Sequence, residues 1–364
     1  MANSFFPSRI ITFYMARMFL ARTFAVLFAL VLVLQTLDLL SSSGDVLAYK
    51  GNGSREILTY ISLRMPQIIS LFLPFSVLLG TVITLATLNQ NSEVISMKAA
   101  GLSAHQVLAP LVVASLLVAA ASFAFNDKVV APTTAQLNRW QKAEFGPMPK
   151  DAKMQSNVWV REGDRLIHAD MVTGRGAQAV LSDVTVYNRK DGGLVDITRS
   201  PTAVPDRGAL MLGATQVFDV ASGTQTRLNS VRVGANLKPE QFTLAAIEPA
   251  GLSFVDLRAA IADLKNAGRP TGSLEAGLWH KISGPLSSIL MPLLGAVAAF
   301  GIARSGRLFF RAVIGMALGF AYFVADNFGL AMGNLGAYPP ILAAWGPFFL
   351  FLLIGETVLI RTEE

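Results

Sequence analysis

The sequence predicts an integral membrane protein with six transmembrane α-helices, three before and three after an inserted antiparallel β-domain. Three observations predict it. The chain of 364 residues is 52% hydrophobic and only 15% charged, where an ordinary soluble domain carries roughly 25% charge. Its apolar residues gather into six runs that can each cover a bilayer core of about 30 Å, which takes roughly 20 residues of helix. Between the third and fourth runs lies a long segment of short β-branched stretches punctuated by Gly, Asp and Asn. The composition excludes a disordered tail, and the absence of cysteine excludes a disulfide scaffold.

The spans are Phe24 to Leu40, Ile68 to Leu88, Val107 to Phe125, Ile282 to Ala303, Ala312 to Met332 and Leu335 to Gly355. The first is short and borrows length from the amphipathic stretch Ile10 to Thr23, which sets Phe13, Phe19 and Leu20 beside Arg17 and Arg22. A cleaved signal peptide fits this run poorly, because its n-region is long and no small-x-small site closes it. The domains expected are an N-terminal membrane half (1–125), the β-domain with helical connectors (126–279) and a C-terminal membrane half (280–364).

Orientation follows from Lys and Arg in short flanking segments, which resist translocation while long domains do not. Arg9, Arg17, Arg22, Lys98, Arg304, Arg307, Arg311 and Arg361 share one side, against Lys50, Arg55 and Arg64 in short segments of the other. The first side reads as cytoplasmic. Both termini then lie in the cytoplasm, and the segment from Asn126 to Trp279 lies outside it, where a domain without cysteine is compatible with a bacterial periplasm. The net charge of +6 is largely this topology signal, so nucleic acid is not an expected partner.

Within the insert, Val158 and Val160, Leu166 and Ile167, Val180 to Tyr187, Leu194 to Ile197, Ala209 to Val220 and Thr224 to Val233 read as strands, with a turn at Asp191-Gly192-Gly193. They argue a sandwich or jelly roll. Asn126 to Phe145 and Ser253 to Ala267 read as helical connectors, the second with a Leu257, Ile261, Leu264 stripe.

No Walker A run, HExxH, CxxC, GxSxG or GxGxxG occurs, and His105, His168 and His280 are far apart along the chain. No catalytic residue, metal site or bound cofactor is expected. Ser96 with Lys98, and Ser283 with Lys281, have the spacing of a Ser/Lys dyad, but lysines at span ends ordinarily keep their charge at the interface. Ionisable residues inside spans face a bundle interior or a cavity. The candidates are Asp38, Asp326 and Glu356, with Asp38 and Glu356 close enough to span ends to be solvated. Gly315-x-x-x-Gly319, followed by Phe320, Tyr322 and Phe323, marks either close helix packing or an interface that opens.

The segment Asn89 to Gln106 reads as a short helix between spans two and three. Ser92 is its expected cap and Gly101 its end. Glu93, Val94, Met97 and Lys98 lie on it, and its apolar Val94 and Met97 face with the Glu93 charge is expected either to lie on the membrane or to dock a cytoplasmic partner.

Leu73-Pro74-Phe75-Ser76-Val77-Leu78-Leu79-Gly80, followed by Asn91 to Gly101, resembles the span-two and coupling-helix motif of the LptF/LptG permeases, which export lipopolysaccharide. The resemblance runs on through Trp279-His280-Lys281-Ile282, Gly315 to Gly329 and Tyr338-Pro339-Pro340. Asp326 to Gly329, Leu237-Lys238-Pro239 and Asp256-Leu257 lean to the LptG branch. The resemblance implies pairing with an LptF-like sister so that twelve spans enclose a lipid cavity. It also implies an LptB-like ATPase dimer holding the ATP and magnesium, LptC as a further subunit, and an LptA bridge that receives lipid from the β-domain. It makes Glu93, Val94, Met97, Lys98 and Gly101 the ATPase-coupling residues. Spans one and five, with Phe75 on span two, become the cavity or gates, through Leu34, Gln35, Asp38, Gly315, Gly319, Phe320, Phe323 and Asp326. Family members carry lysines at the outer end of span one, where this chain has Gln35, Ser41 and Ser42. Lys50, Arg55, Arg64 and Arg139 are the substitutes for headgroup contact. The alternatives are the paralogous LptF subunit, a permease for another envelope lipid, and a membrane-anchored scaffold or sensor.

Overall fold

The computed structural model describes residues 7–147, 154–174, 179–190, 193–206, 208–234, 237, 248–266, 270–300 and 308–361. Two compact units emerge. One comprises 1–135, 249–261 and 271–364, and the other 136–248 and 262–270. The boundary after span three therefore falls ten residues later than the sequence suggests, because the helix does not stop at the membrane edge.

The helical unit begins with α1 (Arg9–Ala48) and α2 (Ser54–Gln90), followed by the short α3 (Glu93–Ala99) and α4 (Ala104–Phe125). A π-helical turn over Asn126–Val130 carries α4 directly into α5 (Ala131–Lys142). After the sheet come α6 (Phe254–Asn266), α7 (Gly272–Phe300), α8 (Leu308–Asn334) and α9 (Pro340–Arg361). Five of these segments, α1, α2, α4 with α5, α8 from Val313, and α9, are long and apolar enough to cross a membrane among the described residues.

The span expected at 282–303 lies on α7, whose described part is more polar, with His280, Lys281, Ser283, Ser287 and Ser288; residues 301–303 lie outside the described residues. The polarity has a physical reason. Helix α7 packs against α2, α4, α8 and α9, so it faces protein on most sides, and Ser283 and Ser288 are fully buried. The sixth span begins at Pro340 instead of Leu335. Gly336 takes φ +76°, ending α8 as a left-handed cap, and Pro340 opens α9 where its missing N–H costs nothing.

In a bilayer, lipid is as apolar as leucine, so helices associate through close packing rather than expulsion of water. Helix α1 buries Met15, Phe19, Thr23, Leu27, Val31 and Gln35. That stripe recurs every four residues, longer than the 3.6-residue turn, so the buried face winds around the helix and α2 must cross it. Their backbones come close at Gly80, where a Cβ would lie 3.0 Å from both the Thr23 Cα and N. Gly329 packs on α9 in the same way, its missing Cβ 2.8 Å from the Ala343 carbonyl oxygen.

Asp127 in the π-helical turn accepts a hydrogen bond from the Phe254 N–H at 2.6 Å and thereby caps α6, with Ser253 bonded to the Asp256 N–H at 3.1 Å as the ordinary cap. The predicted stripe Leu257, Ile261 and Leu264 is buried.

The other unit holds one antiparallel sheet: β1 (Met154–Glu162), β2 (Arg165–Thr173), β3 (Val180–Lys190), β4 (Gly193–Asp206), β5 (Ala209–Asp219) and β6 (Gln225–Val233). Each strand pairs with its sequence neighbour. The β-domain is as expected, and among the described residues its strands connect as a meander rather than as the Greek key of a jelly roll. In the turn after β5, the backbone N–H and then the hydroxyl of Ser222 bond the Asp219 carboxylate and hold it below the usual carboxylate range. What this adds to stability is present above the unfolded pKa and lost on acidification.

One row crosses the sheet without regular pairing: Asp170, Asp183, Pro201 and Ala214 on β2 to β5. Asp183 and Ala214 take φ of +48° and +49°. The buried positions step by three across this row, from Ala169 to Val172, Val184 to Leu181, Ser200 to Ala203 and Thr215 to Leu212, where a regular strand steps by two. Each strand contributes one residue to the row, so register survives while the alternation resets, and apolar residues from both halves join one cluster. A non-glycine residue in the left-handed region costs about 1–2 kcal/mol. Ala214→Gly is therefore expected to stabilise this unit by about 1 kcal/mol, and Ala214→Val to destabilise it. Chemical denaturation of the full chain, followed through Trp159 fluorescence, checks both.

Candidate functional site

Two regions gather the residues singled out from sequence. The first is the turn between α2 and α4. Gly101 takes φ +88° and ends α3 as expected. Ser92 does not cap through its side chain: it sits in the left-handed region at φ 58°, and Asn91 Nδ2 instead bonds Glu93 Oε1 at 3.1 Å. Nor do Val94 and Met97 form an outward docking face, since both are buried in the core of the helical unit. Burying them anchors α3 to its own bundle. What α3 presents outward is Ile95, 65% exposed, with Ser96, Lys98 and Ala99. Glu93 sits half-buried at the margin, accepting a 3.4 Å hydrogen bond from the Tyr14 hydroxyl of α1. The Tyr14 contact was not legible beforehand, because 79 residues separate the partners.

The second region is a polar belt across the helices. Asp38 is not a solvated span end. Its Oδ1 takes a hydrogen bond from Arg64 Nε at 3.0 Å and lies 3.0 Å from Arg64 Nη2 in an ion pair, and its Oδ2 takes one from the Tyr60 hydroxyl at 2.9 Å. Arg64 continues to Gln67 at 2.5 Å, and Gln67 to Thr134 on α5 at 2.9 Å. The Arg64 guanidinium thus serves α1 before any headgroup, leaving Lys50 and Arg55 exposed among the four expected substitutes; Arg139 belongs to the other unit. Gln35 is buried and neither polar atom of its amide has a partner among the described residues. Leu34 is half-buried against the core.

Since Arg64 keeps 37% of its side chain exposed, solvent screens part of the pair. Arg64→Ala is expected to cost about 1–2 kcal/mol. A double-mutant cycle with Asp38→Asn, read by thermal unfolding, should show the double variant losing less than the sum of the singles.

Phe75 on α2 and Phe323 on α8 meet with ring centroids 5.4 Å apart. Gly315 is buried, and Gly319 packs against Leu78. Phe320, 60% exposed, points away with Val324 and Phe328. Asp326 faces α7, its Oδ2 3.8 Å from His280 Nε2. Glu356 is not free either, lying 3.3 Å from His105 Nε2. Sequence reasoning missed both histidine–acid pairs, because nothing along the chain signals contacts made across a bundle.

Several apolar helices, an interior polar belt and an antiparallel sheet inserted between two helical halves in the chain define a multi-pass membrane protein with a β-domain. The model of the lipopolysaccharide export system permease family LptF/LptG matches residues 13–361. The chain belongs to that family. It is 27% identical over 329 residues to the lipopolysaccharide export system permease protein LptG of Escherichia coli K12, covering 87% of this chain and 89% of that protein. To the LptG of Haemophilus influenzae it is 23% identical over 322 residues, covering 86% and 89%.

Proposed function

We propose that this chain is the LptG-type permease subunit of a lipopolysaccharide exporter, working beside an LptF-like sister and driven by a separate LptB-like ATPase dimer. The observation that carries it, beside family membership, is the pair of unpartnered apolar faces on the first and fifth spans. Helix α1 exposes Phe24, Phe28, Leu32, Leu37 and Leu40, and α8 exposes Phe320, Val324 and Phe328. A lipid with several acyl chains needs such walls, and a sister subunit completes them.

In this reading α1 and α8 line the cavity and its gates, with Phe75 and Phe323 packed behind. The chain lies in the inner membrane with its termini cytoplasmic and its β-domain periplasmic. Lipopolysaccharide leaves the outer leaflet of that membrane, passes the β-domain and reaches LptA, with LptC joined to the complex. The chain itself binds no nucleotide, and ATP with magnesium sits on the partner. Glu93 and the outward side of α3 receive the ATPase stroke, and the buried Val94 and Met97 transmit it into the bundle, because a rigidly packed element passes on displacement where a loose loop absorbs it.

A second reading, a permease for a less anionic envelope lipid, is favoured by the engagement of Arg64 with Asp38. Purification from the native membrane in mild detergent, mass spectrometry of the co-purifying proteins and lipids, and an ATPase assay test both. A bound ATPase, a sister six-span chain and lipopolysaccharide are expected. Another lipid in its place selects the second reading, and recovery of the chain alone without nucleotide hydrolysis refutes both in favour of a membrane scaffold.

A further inference from the structure

We infer that His280 and Asp326, with Tyr322 beside them, form a proton-binding site between α7 and α8, and that its occupancy decides whether α8 is clasped to α7. The site regulates the same permease, so its transport consequence rests on the exporter reading; the proton site itself does not.

The geometry is that of an incomplete pair. His280 Nε2 lies 3.8 Å from Asp326 Oδ2, beyond a direct hydrogen bond. The remaining polar atoms, His280 Nδ1 and Asp326 Oδ1, are shielded from solvent and have no partner among the described residues. Polar groups that served only to glue two helices would be bonded to each other, since an unmet donor or acceptor in a membrane protein is costly. The imidazole lies against Gly284, where a Cβ would meet Nε2 at 3.5 Å and Cε1 at 3.6 Å, ordinary van der Waals contact. Tyr322, one helical turn before Asp326 on the same face, is buried against Phe351 with centroids 5.4 Å apart, and its hydroxyl lies beside Asp326 and Ser287.

The charges around the pair are few. On α7, the Lys281 charge is attracted by Asp127 of the π-helical turn. Helix α2 offers α8 the Phe75 ring and Leu78. Helix α9 offers Phe351, Ala343 and Pro347. Helix α4 also packs on α7 and buries Val118, Ala119 and Ser122, and the 3-10 turn Pro249–Gly251 meets α7 at Gly277 through the Pro249 ring. His280 is the group that pairs with Asp326 among the described residues.

The proton count follows. With one proton on the imidazole and the carboxylate ionised, the pair is net neutral and attractive, and α8 is held to α7. Loss of that proton to water leaves a lone carboxylate in a poorly solvated site, which is relieved when α8 moves away. Because Phe320, Val324 and Phe328 occupy the opposite face of α8, the same movement repositions that apolar face.

The chain has no cysteine, so Phe328→Cys takes a single spin label. The test uses this full chain in lipid nanodiscs without ATPase or lipopolysaccharide, across the range where an imidazole titrates, about pH 5–8. Label mobility is expected to rise with pH together with the His280 ring signal in histidine-selective NMR. Asp326→Asn is expected to displace the His280 midpoint by about one pH unit or more, and His280→Gln to abolish the pH response of the label. A label insensitive to pH without further substitution, or a His280 midpoint unmoved by Asp326→Asn, overturns the inference. The first reading needs no second variant, so a misfolded variant does not shelter the proposal. Neither readout involves lipid export, so failure here and failure of the exporter reading are separable.

Discussion

Gly80→Val is expected to disrupt the helical unit more than any other single apolar substitution in α2. A side chain there meets the Thr23 hydroxyl and, at 3.0 Å, the Thr23 backbone. Backbone cannot rotate aside as a flexible side chain would, so α1 has to shift. Overpacking of this kind costs about 1–3 kcal/mol, and valine should reach about 3 kcal/mol, since α1 is held mainly by its contact with α2. Thermal unfolding of the detergent-purified chain measures it. Thr23→Ala as a second change removes the hydroxyl but not the backbone, so partial recovery is expected. Full recovery would show that the crossing is set by the Thr23 side chain alone.

Glu93→Lys should uncouple export from ATP hydrolysis while leaving the fold intact. Among the described residues Glu93 holds the long Tyr14 contact at 3.4 Å and its neighbour Asn91, so the stability change should stay within about 1 kcal/mol. Reversal of a charge at an engaged interface typically costs about 2–5 kcal/mol, and a loss of export of about tenfold or more follows. Tyr14→Phe is the control: it removes the internal bond and leaves the carboxylate for a partner, so export should persist. Normal lipid export by Glu93→Lys, or equal loss in both variants, would end the coupling role proposed for this residue.

The helical connectors and all six strands were legible in the sequence because each depends on local periodicity. Leu257, Ile261 and Leu264 recur at helical spacing and are buried; Val158 with Val160, and Val184 with Val186, alternate as strand residues do. The face that α3 turns outward was not legible. An amphipathic seven-residue helix has an apolar side whether it meets a partner or its own bundle, and only the packing of Val94 and Met97 into the core decides. The crease in the sheet was hidden for a related reason. Asp183, Pro201 and Ala214 each look like a weak interruption of one strand, and their meaning appears when register aligns them in a row.

Composition, run length and basic asymmetry determined, without coordinates, that the chain is a membrane protein with a β-insert, and residue motifs resembled its family. These properties are set by transfer of short segments between water and lipid, which each segment settles largely by itself. The tertiary structure alone decided which polar residues meet. Arg64 reaches Asp38, His105 lies near Glu356, and His280 near Asp326, across separations of 26, 251 and 46 positions in the chain. Inside a bilayer a polar group must find its partner within the protein, and which helix supplies that partner depends on how the helices cross.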